Sequence, residues 1–189
     1  MNETDEPLRF YYEDGKTLYE LFRKAEKLSE DGPYLGWKPS SSEPYRWITY
    51  SEANTIGHEL GSAFMKFGLQ PGKESFVGIY AKNRPEWVLT EVASNSFSFV
   101  NVPLYETLGA EAISFILVQT QLKVVVCDDS EKAMQLMNSK SNLEYIIVID
   151  KLNDEAKARA NELDIKIMTF KECRELGREN LQPKAFVRN

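Results

Sequence analysis

Two hydrophobic periods alternate along the chain from residue 75 onward. Apolar runs of four to six residues alternate with segments in which apolar residues recur every three or four positions. The runs are residues 75–80, 99–102, 123–127, 145–149 and 165–168. Short runs that are apolar on both faces, joined by links long enough to hold a helix, are typical of parallel strands buried between helices. With right-handed crossovers, this pattern predicts an α/β fold with a doubly wound, mostly parallel sheet and flanking helices.

The residues before this region predict a helix followed by a small β-hairpin. Thr17 is expected to cap a helix over residues 18–28, whose apolar positions have helical spacing: Leu18, Leu21, Phe22, Ala25 and Leu28. Residues 34–37 and 45–48 are rich in aromatic and β-branched side chains and flank a Pro/Ser-rich loop. These two runs predict the strands of the hairpin.

Polar residues of the helix-capping type precede the later helices. Thr49 and Glu52 form a capping box, in which the threonine oxygen accepts from the N–H of Glu52 and the glutamate reaches back. The helix that they start is expected to end at Gly68, because a left-handed residue there favours glycine. Two further caps are expected, one for each of the next two helices: Asn83, two positions before Pro85, and Thr107.

The pattern divides the chain into three parts. Residues 1–15 form an arm, expected to be anchored by the aromatic cluster at residues 10–12. Residues 16–177 form the α/β subdomain. Residues 178–189 have no periodic apolar pattern and are interpreted as a linker to a further region.

Composition narrows the class of protein. The chain has 189 residues and a net charge of -6 without a basic block, so one globular domain is expected and nucleic acid is not expected as a partner. Cys127 and Cys173 lack the spacing of a disulfide framework or a zinc site, which fits a reducing compartment. No apolar run reaches the ~18 residues of a membrane span, and the acidic start is unlike a signal peptide. We therefore expect a soluble chain that is not secreted.

The turns that follow the predicted strands lack a phosphate-binding glycine motif. Residues 81–85, 104–109 and 128–130 contain neither GxGxxG nor GxxxxGK[ST]. Glycines in these motifs let backbone N–H groups close on phosphate. Their absence argues against a dinucleotide-binding domain or a P-loop ATPase.

Few residues are candidates for chemistry, and each has a structural alternative. Asp128 and Asp129 end a strand and suit a hard metal ion, but a helix cap is the preferred interpretation. His58, the single histidine, is expected to be a satisfied polar or solvent-facing residue rather than a catalytic base. Residues 103–109 leave the carboxyl end of a strand, where α/β ligands tend to bind; a turn that fixes strand order is the preferred alternative.

Three further positions are expected to be structural. Cys127 is interpreted as a small core residue, with a reactive thiol as the alternative. Trp87 is expected in the core, with ligand stacking as the alternative. Arg84 and Glu86 are expected to be surface or helix-end charges.

Several stretches together resemble the long-chain fatty acid–CoA ligases, the long-chain acyl-CoA synthetases of the adenylate-forming (AMP-binding) superfamily. They are GPYLG at 32–36, YRWITY at 45–50, FVGIYA at 76–81, NRPEWV at 83–88 and VPLYETLG at 102–109. The family usually has Asp in place of Glu106. Residues 48–52 and 98–104 also resemble the first and second core motifs of the superfamily. The matches occur in family order over about residues 10–180 and are specific only in combination.

The resemblance implies a two-step reaction in the full-length enzyme. ATP and a long-chain fatty acid give an acyl-adenylate and pyrophosphate, and CoA then displaces AMP. ATP, magnesium and CoA are thus implied for the complete ligase. The family places this chemistry in later segments, including a Ser/Thr/Gly-rich loop and a catalytic lysine in a mobile carboxyl-terminal domain. We expect this chain to bind none of these cofactors, and we assign it no catalytic, cofactor-binding or metal-binding residue.

The leading hypothesis is an amino-terminal fragment of such a ligase, inactive in isolation. The alternative is a non-catalytic, stand-alone binding or regulatory module derived from one. The expected partners are the remainder of the ligase and its fatty acid substrate, and a homo-oligomer is left open. We expect apolar surface on the Trp87 helix and after Val148. The resemblance implies the cytoplasmic side of the endoplasmic reticulum or mitochondrial outer membrane, although the membrane-spanning segment of many animal members is lacking.

Overall fold

The computed structural model describes residue 12 and residues 14–139 and 141–184. The helices of this part are α1 (Leu18–Leu28), α2 (Tyr50–Lys66), α3 (Pro85–Phe97), α4 (Ala110–Thr120), α5 (Ser130–Met137), α6 (Asp154–Glu162) and α7 (Phe170–Glu179). The strands are β1 (Pro33–Trp37), β2 (Arg46–Thr49), β3 (Phe76–Tyr80), β4 (Val100–Pro103), β5 (Val124–Cys127), β6 (Tyr145–Val148) and β7 (Lys166–Thr169). The seven predicted strands, the helix predicted over residues 18–28 and the helices predicted to start after Thr49 and near Asn83 and Thr107 are all present within a few positions.

The main sheet has five parallel strands in the order β4-β3-β5-β6-β7. The order reverses at β3, because the chain first adds β4 on one side and then β5 on the other. This reversal is the topological switch point of a doubly wound sheet. β1 and β2 form a separate antiparallel hairpin. The predicted fold class is therefore confirmed.

Helices cover both faces of the sheet. α2, α3 and α7 pack on one face and meet inward side chains of alternate strand positions: Val77, Val124, Val126 and Ile147. α4, α5 and α6 pack on the other face, against the intervening positions: Tyr80, Val125, Cys127, Ile146 and Val148. Because successive residues of a strand point to opposite faces, strands buried on both sides must be apolar throughout.

The caps predicted for α1 and α2 are present; the predicted capping box at Thr49 is confirmed, and the Thr17 cap is a capping box as well. Thr17 and Glu20 cap α1, and Thr49 and Glu52 cap α2, each with both reciprocal hydrogen bonds. The N–H of Glu52 lies 3.3 Å from Thr49 Oγ1, and the N–H of Thr49 lies 2.8 Å from Glu52 Oε2. Gly68 follows α2 with φ at +95°, the left-handed region that favours glycine.

Two predicted caps are wrong. α3 has Arg84 at its N-cap position without a side-chain hydrogen bond, and Pro85 is its first helical residue. Asn83 therefore lies one position too early, and the Arg84 side chain is engaged in ion pairs instead. α4 begins after Gly109, whose φ of +57° turns the chain into the helix. Thr107 lies two positions before that cap.

Two of the predictions concern the ends of the chain. Residues 1–11 and 13, most of the expected arm, lie outside the described residues; Tyr12 forms a short antiparallel bridge with Gly15. α7 runs to Glu179, and the boundary predicted between residues 177 and 178 stays a prediction.

The most exposed large apolar side chains of the described part are on other elements than expected: Leu28, Phe115, Leu18 and Tyr105. Trp87 is half-buried. After Val148, Ile149 and Leu152 are partly buried against the core, whereas Asp150 and Lys151 are exposed.

Candidate functional site

The candidate site lies at the carboxyl ends of β3, β5 and β6, where the strand order reverses. In open α/β sheets, ligands bind in the crevice outside the carboxyl ends of the strands at this switch point. Three loops converge here, after β3 (residues 81–84), after β5 (residues 128–129) and after β6 (residues 149–153). A fourth, residues 104–109, follows β4 beside them.

Asp128 is the centre of a hydrogen-bonded charge network in this crevice. Asp128 is only 2% exposed. Its carboxylate accepts from the backbone N–H of Lys82 at 2.9 Å, from Arg84 Nη1 at 3.0 Å and from Lys132 Nζ at 2.7 Å. Burial alone would raise the pKa of Asp128, but these donors outweigh it and hold the pKa below its usual value of 3.8. Asp128 is thus an ionised, fully engaged carboxylate.

Arg84 joins three loops through its planar guanidinium group. Nε donates to Glu86 at 2.8 Å, Nη1 to Asp128 at 3.0 Å and Nη2 to Asp150 at 2.9 Å. Burial opposes the charge, yet the hydrogen bonds that Arg84 donates to Asp150, Glu86 and Asp128 raise its pKa. Arg84 is a helix-end charge, as expected, because it is the N-cap residue of α3, but its side chain is only 17% exposed and is not a free surface charge. The fixed fork of arginine suits such multiple pairing.

Lys132 extends the network to the loop after β4. Its Nζ pairs with Asp128 and with Glu106, and it lies 4.9 Å from the centroid of the Tyr80 ring. Burial lowers the pKa of Lys132, but Asp128 and Glu106 outweigh it, and the net effect is a raised pKa. The Tyr80 hydroxyl donates to Gln135 Oε1 at 2.8 Å, which fixes α5 against β3.

Two cavities flank the network. The first, about 630 Å³ in volume, lies between the hairpin and the start of α3, and its lining includes Trp37, Lys38, Lys82, Asn83, Glu86 and Asp150. The second, about 530 Å³, lies between the residues 104–109 loop and α5, and its lining includes Tyr80, Glu106, Gly109, Glu131, Lys132 and Gln135. Arg84 lines one cavity and Lys132 the other, so the Arg84–Asp128–Lys132 chain stands between them.

The acidic pair and the histidine have structural roles. Asp129 caps α5, accepting from the N–H of Lys132 at 2.9 Å, which confirms the preferred interpretation. In the described part of the chain, no group of three or more His, Cys, Asp or Glu side chains is arranged to hold a metal ion. His58 contacts the carbonyl oxygen of Gln182 through Nε2 at 2.7 Å. It is a satisfied polar residue, as expected.

The cysteines are core residues and not nucleophiles. Cys127 and Cys173 are both fully buried. Burial raises the pKa of the Cys127 thiol and raises that of Cys173 to about 12. Because the thiolate is the reactive form, burial and the raised pKa values argue against a nucleophilic role for either thiol at neutral pH.

The sequence did not reveal the network. Lys132 and Asp150 were not singled out, and Glu106 was noted only for its place in a motif. One local signal was available, since Asp128 and Lys132 have the i, i+4 spacing of a helical ion pair. The contacts of Arg84 span 44 and 66 positions, and no local pattern encodes them.

The fold and this crevice define a doubly wound α/β domain, and comparison with known proteins gives its family. The family model described as AMP-binding enzyme matches residues 22–183. The chain belongs to the AMP-binding enzyme family. Among the similar curated proteins, long-chain-fatty-acid–CoA ligase 5 of Rattus norvegicus is 36% identical over 92% of this chain. Long-chain-fatty-acid–CoA ligase 1 of Homo sapiens is 37% identical over 94%. The chain spans about a quarter, 26%, of the length of each.

Solved structures show the same fold. The adenylation domain of a carboxylate reductase from Mycobacterium chelonae superposes with a TM-score of 0.75 at 22% identity, covering 91% of this chain and 31% of that one. A long-chain-fatty-acid-CoA ligase from Archaeoglobus fulgidus gives a TM-score of 0.68 at 17% identity, covering 94% and 33%. Within the described residues, no helix combines the length and apolar character that a bilayer span requires.

Proposed function

We propose that this chain is the amino-terminal part of an ATP-dependent long-chain fatty acid–CoA ligase. The proposed overall reaction converts a fatty acid, ATP and CoA into acyl-CoA, AMP and pyrophosphate through an acyl-adenylate. The observation that carries the proposal is the 36–37% identity to ligases of this name over nearly the whole chain. The proposed partners are the remainder of the ligase and a long-chain fatty acid.

The described residues do not fit a site for ATP or magnesium. The turns at residues 81–85, 104–109 and 128–130 lack the glycine-rich motifs in which backbone N–H groups close on phosphate. The carboxylates of Asp128 and Glu106 are already paired with Lys132, and that of Asp150 with Arg84. A cation entering the crevice would have to displace these ion pairs. Cofactor binding is therefore proposed for the other parts of the ligase.

This chain contributes a preorganised scaffold to the proposed enzyme. Its sheet is buried on both faces, and the Arg84–Asp128–Lys132 chain ties together the loops at its carboxyl edge. Catalytic geometry depends on supports that hold reacting groups within a fraction of an ångström. We propose that the chain holds this edge rigid and performs no chemical step alone.

A chimeric ligase tests the proposal. Residues 22–183 replace the corresponding segment of human long-chain-fatty-acid–CoA ligase 1, and palmitoyl-CoA formation is measured with palmitate, ATP, magnesium and CoA. We expect the chimera to form palmitoyl-CoA and the isolated chain to release pyrophosphate only at background rate. Turnover by the isolated chain would contradict the scaffold role. A folded chimera without activity would instead favour the non-catalytic module.

A further inference from the structure

Residues 180–184, which we name the strap, run back along α2 after α7 has ended at Glu179. The strap contacts four side chains of α2 at intervals of four residues: Lys66, Ser62, His58 and Asn54. Residues four apart lie on the same face of a helix, so these side chains form one continuous row. The strap meets them in reverse order, and it therefore lies antiparallel to α2.

The centre of the strap has both backbone groups of one residue paired. The N–H of Gln182 donates to Ser62 Oγ at 3.0 Å, and its carbonyl lies 2.7 Å from His58 Nε2. A carbonyl oxygen only accepts, so His58 carries its proton on Nε2 and donates. Ser62 is fully buried. A five-residue segment without a helix or strand of its own thus has a specific side-chain partner for its backbone.

The two ends of the strap are held by lysines. Lys66 Nζ donates to Asn180 Oδ1 at 3.2 Å at the start. Lys184 Nζ donates to Asn54 Oδ1 at 2.6 Å and lies 5.5 Å from the centroid of the Tyr19 ring on α1. The strap therefore bridges α2 and α1.

Hydrogen bonds, and not apolar burial, hold the strap in place. Leu181, its one large apolar side chain, is 53% exposed. Burial first, and then repulsion from Arg23, lowers the pKa of Lys184 to about 8, with Glu26 acting in the opposite direction. Lys184 is therefore partly buried and is held by its contacts with Asn54 and Tyr19, unlike a lysine in a freely solvated tail.

We propose that the row on α2 is a positioning device, in which His58, Ser62 and Asn54 fix the point where the polypeptide leaves the domain. The inference rests on the proposed function, because the part that it positions is the remainder of the ligase. Extended residues span about 3.4 Å each, so release of residues 181–184 would let the following chain move by about 14 Å. Misplacement of a catalytic part by about 1 Å already lowers rates about 100-fold.

Variants of His58 separate the hydrogen bond from the packing of the ring. His58→Phe keeps an aromatic ring beside Phe97, whose centroid lies 5.9 Å away, but removes the donor. His58→Gln keeps a donor and loses the ring. Ser62→Ala removes the acceptor for the Gln182 N–H with little change in volume. Thr55→Ala is the matched control, because Thr55 lies on α2 but its hydroxyl donates to Ser51 of the same helix.

The first readout uses this chain and does not depend on ligase activity. Exchange of the Gln182 amide and tryptic cleavage after Lys184 report release of the strap, while cleavage after Arg178 and the melting temperature report the domain. We expect His58→Phe and Ser62→Ala to accelerate Gln182 amide exchange and cleavage after Lys184 at least tenfold. Cleavage after Arg178 and the melting temperature should stay unchanged. His58→Gln and Thr55→Ala should match wild type. If His58→Phe lowers the melting temperature, that variant also perturbs the domain, and the result for Ser62→Ala then decides whether the row on α2 holds the strap. An unprotected Gln182 amide in wild type would overturn the proposal.

The second readout places the same variants in the chimeric ligase. We expect His58→Phe to lower kcat for acyl-CoA formation at least tenfold, with His58→Gln restoring it and Thr55→Ala having no effect. An inactive parent chimera would count against the proposed function. An active chimera that tolerates His58→Phe, although the strap is released in the chain, would count against the positioning role alone.

Discussion

A methyl group built on Gly177 would lie 1.7 Å from the carbonyl oxygen of Glu59. The backbones of α7 and α2 are therefore in direct contact, and only glycine allows the approach. The same contact brings Arg174 Nε to 2.9 Å and Arg178 Nε to 2.8 Å from the Glu59 carboxylate. Glu59 is 4% exposed, so a buried carboxylate is matched by two arginines of the neighbouring helix. This pair of helices also carries the strap.

Gly177→Ala should destabilise the domain, although alanine is the better helix former. Overpacking of a core contact costs about 1–3 kcal/mol, and the upper end applies here because the nearest atom is a backbone oxygen that cannot rotate away. Urea unfolding measures the loss. Glu179→Ala, at an exposed position of the same helix, serves as the control and should be nearly neutral. An unchanged midpoint for Gly177→Ala would show that α7 does not approach α2 this closely.

Asp128→Ala should destabilise the switch-point crevice more than Asp128→Asn. Removing one partner of a buried charge group costs about 3 kcal/mol, because Arg84 and Lys132 then lose their shared partner. Asparagine keeps an acceptor and should lose less. Differential scanning calorimetry of both variants measures the difference. Equal stability of Asp128→Ala and wild type would mean that the network contributes nothing to folding.

The lowered pKa of Asp128 also predicts the direction of a pH dependence. Its folded-state pKa lies below the usual value of 3.8, so the folded state holds fewer protons than the unfolded state. The resulting stabilisation is present above about pH 4 and is lost as the pH falls through the folded-state pKa. Acid unfolding followed by circular dichroism should therefore be shallower for Asp128→Asn. An identical acid limb in both proteins would contradict the lowered pKa.

Thr49→Ala should lower the stability of the domain by about 1 kcal/mol, because the N–H of Glu52 loses its acceptor at the start of α2. Thr49→Ser keeps the oxygen and should stay close to wild type. The denaturant midpoint is the measurement. If both variants unfold at the same concentration as wild type, the capping box makes no net contribution.

Lys184 should make the strap more stable as the pH rises from about 8 to about 10. In the folded state its pKa is lowered to about 8, whereas an unfolded lysine keeps its proton to about 10.4. The unfolded state thus binds more protons in this window, and stability increases with pH. The free energy of unfolding of wild type relative to Lys184→Met should rise across the window. A constant difference would place Lys184 in solvent.

Apolar side chains on the surface of α4 should make the isolated chain associate. Phe115 is 65% exposed and Val118 is 52% exposed on the same face of this helix. Contiguous apolar surface usually marks an interface. Sedimentation velocity over a concentration series should show association that Phe115→Lys weakens, whereas Glu155→Lys, at an exposed position of α6, should not weaken it. A monomer at every concentration would favour a finished, stand-alone domain.

Local features of this protein follow from its sequence. The strands and helices are correct within a few residues, because the hydrophobic period reports which faces are buried. The capping boxes at Thr17 and Thr49 are encoded within four positions of the chain. Asn83 and Thr107 are not caps, because the N-cap residue of α3 is Arg84 and that of α4 is Gly109. Both residues lie in loops whose conformation depends on the sheet and not on the local sequence.

Only the tertiary structure decided which distant residues meet. Arg84 reaches Asp150, 66 positions away, because β3 and β6 end at the same edge of the sheet. His58 reaches Gln182, 124 positions away, because α7 returns the chain to α2 through the close approach at Gly177. Periodicity specifies which residues are buried but not their neighbours, because strand order is chosen by the packing of whole elements. The charge network and the strap both depend on how these whole elements pack.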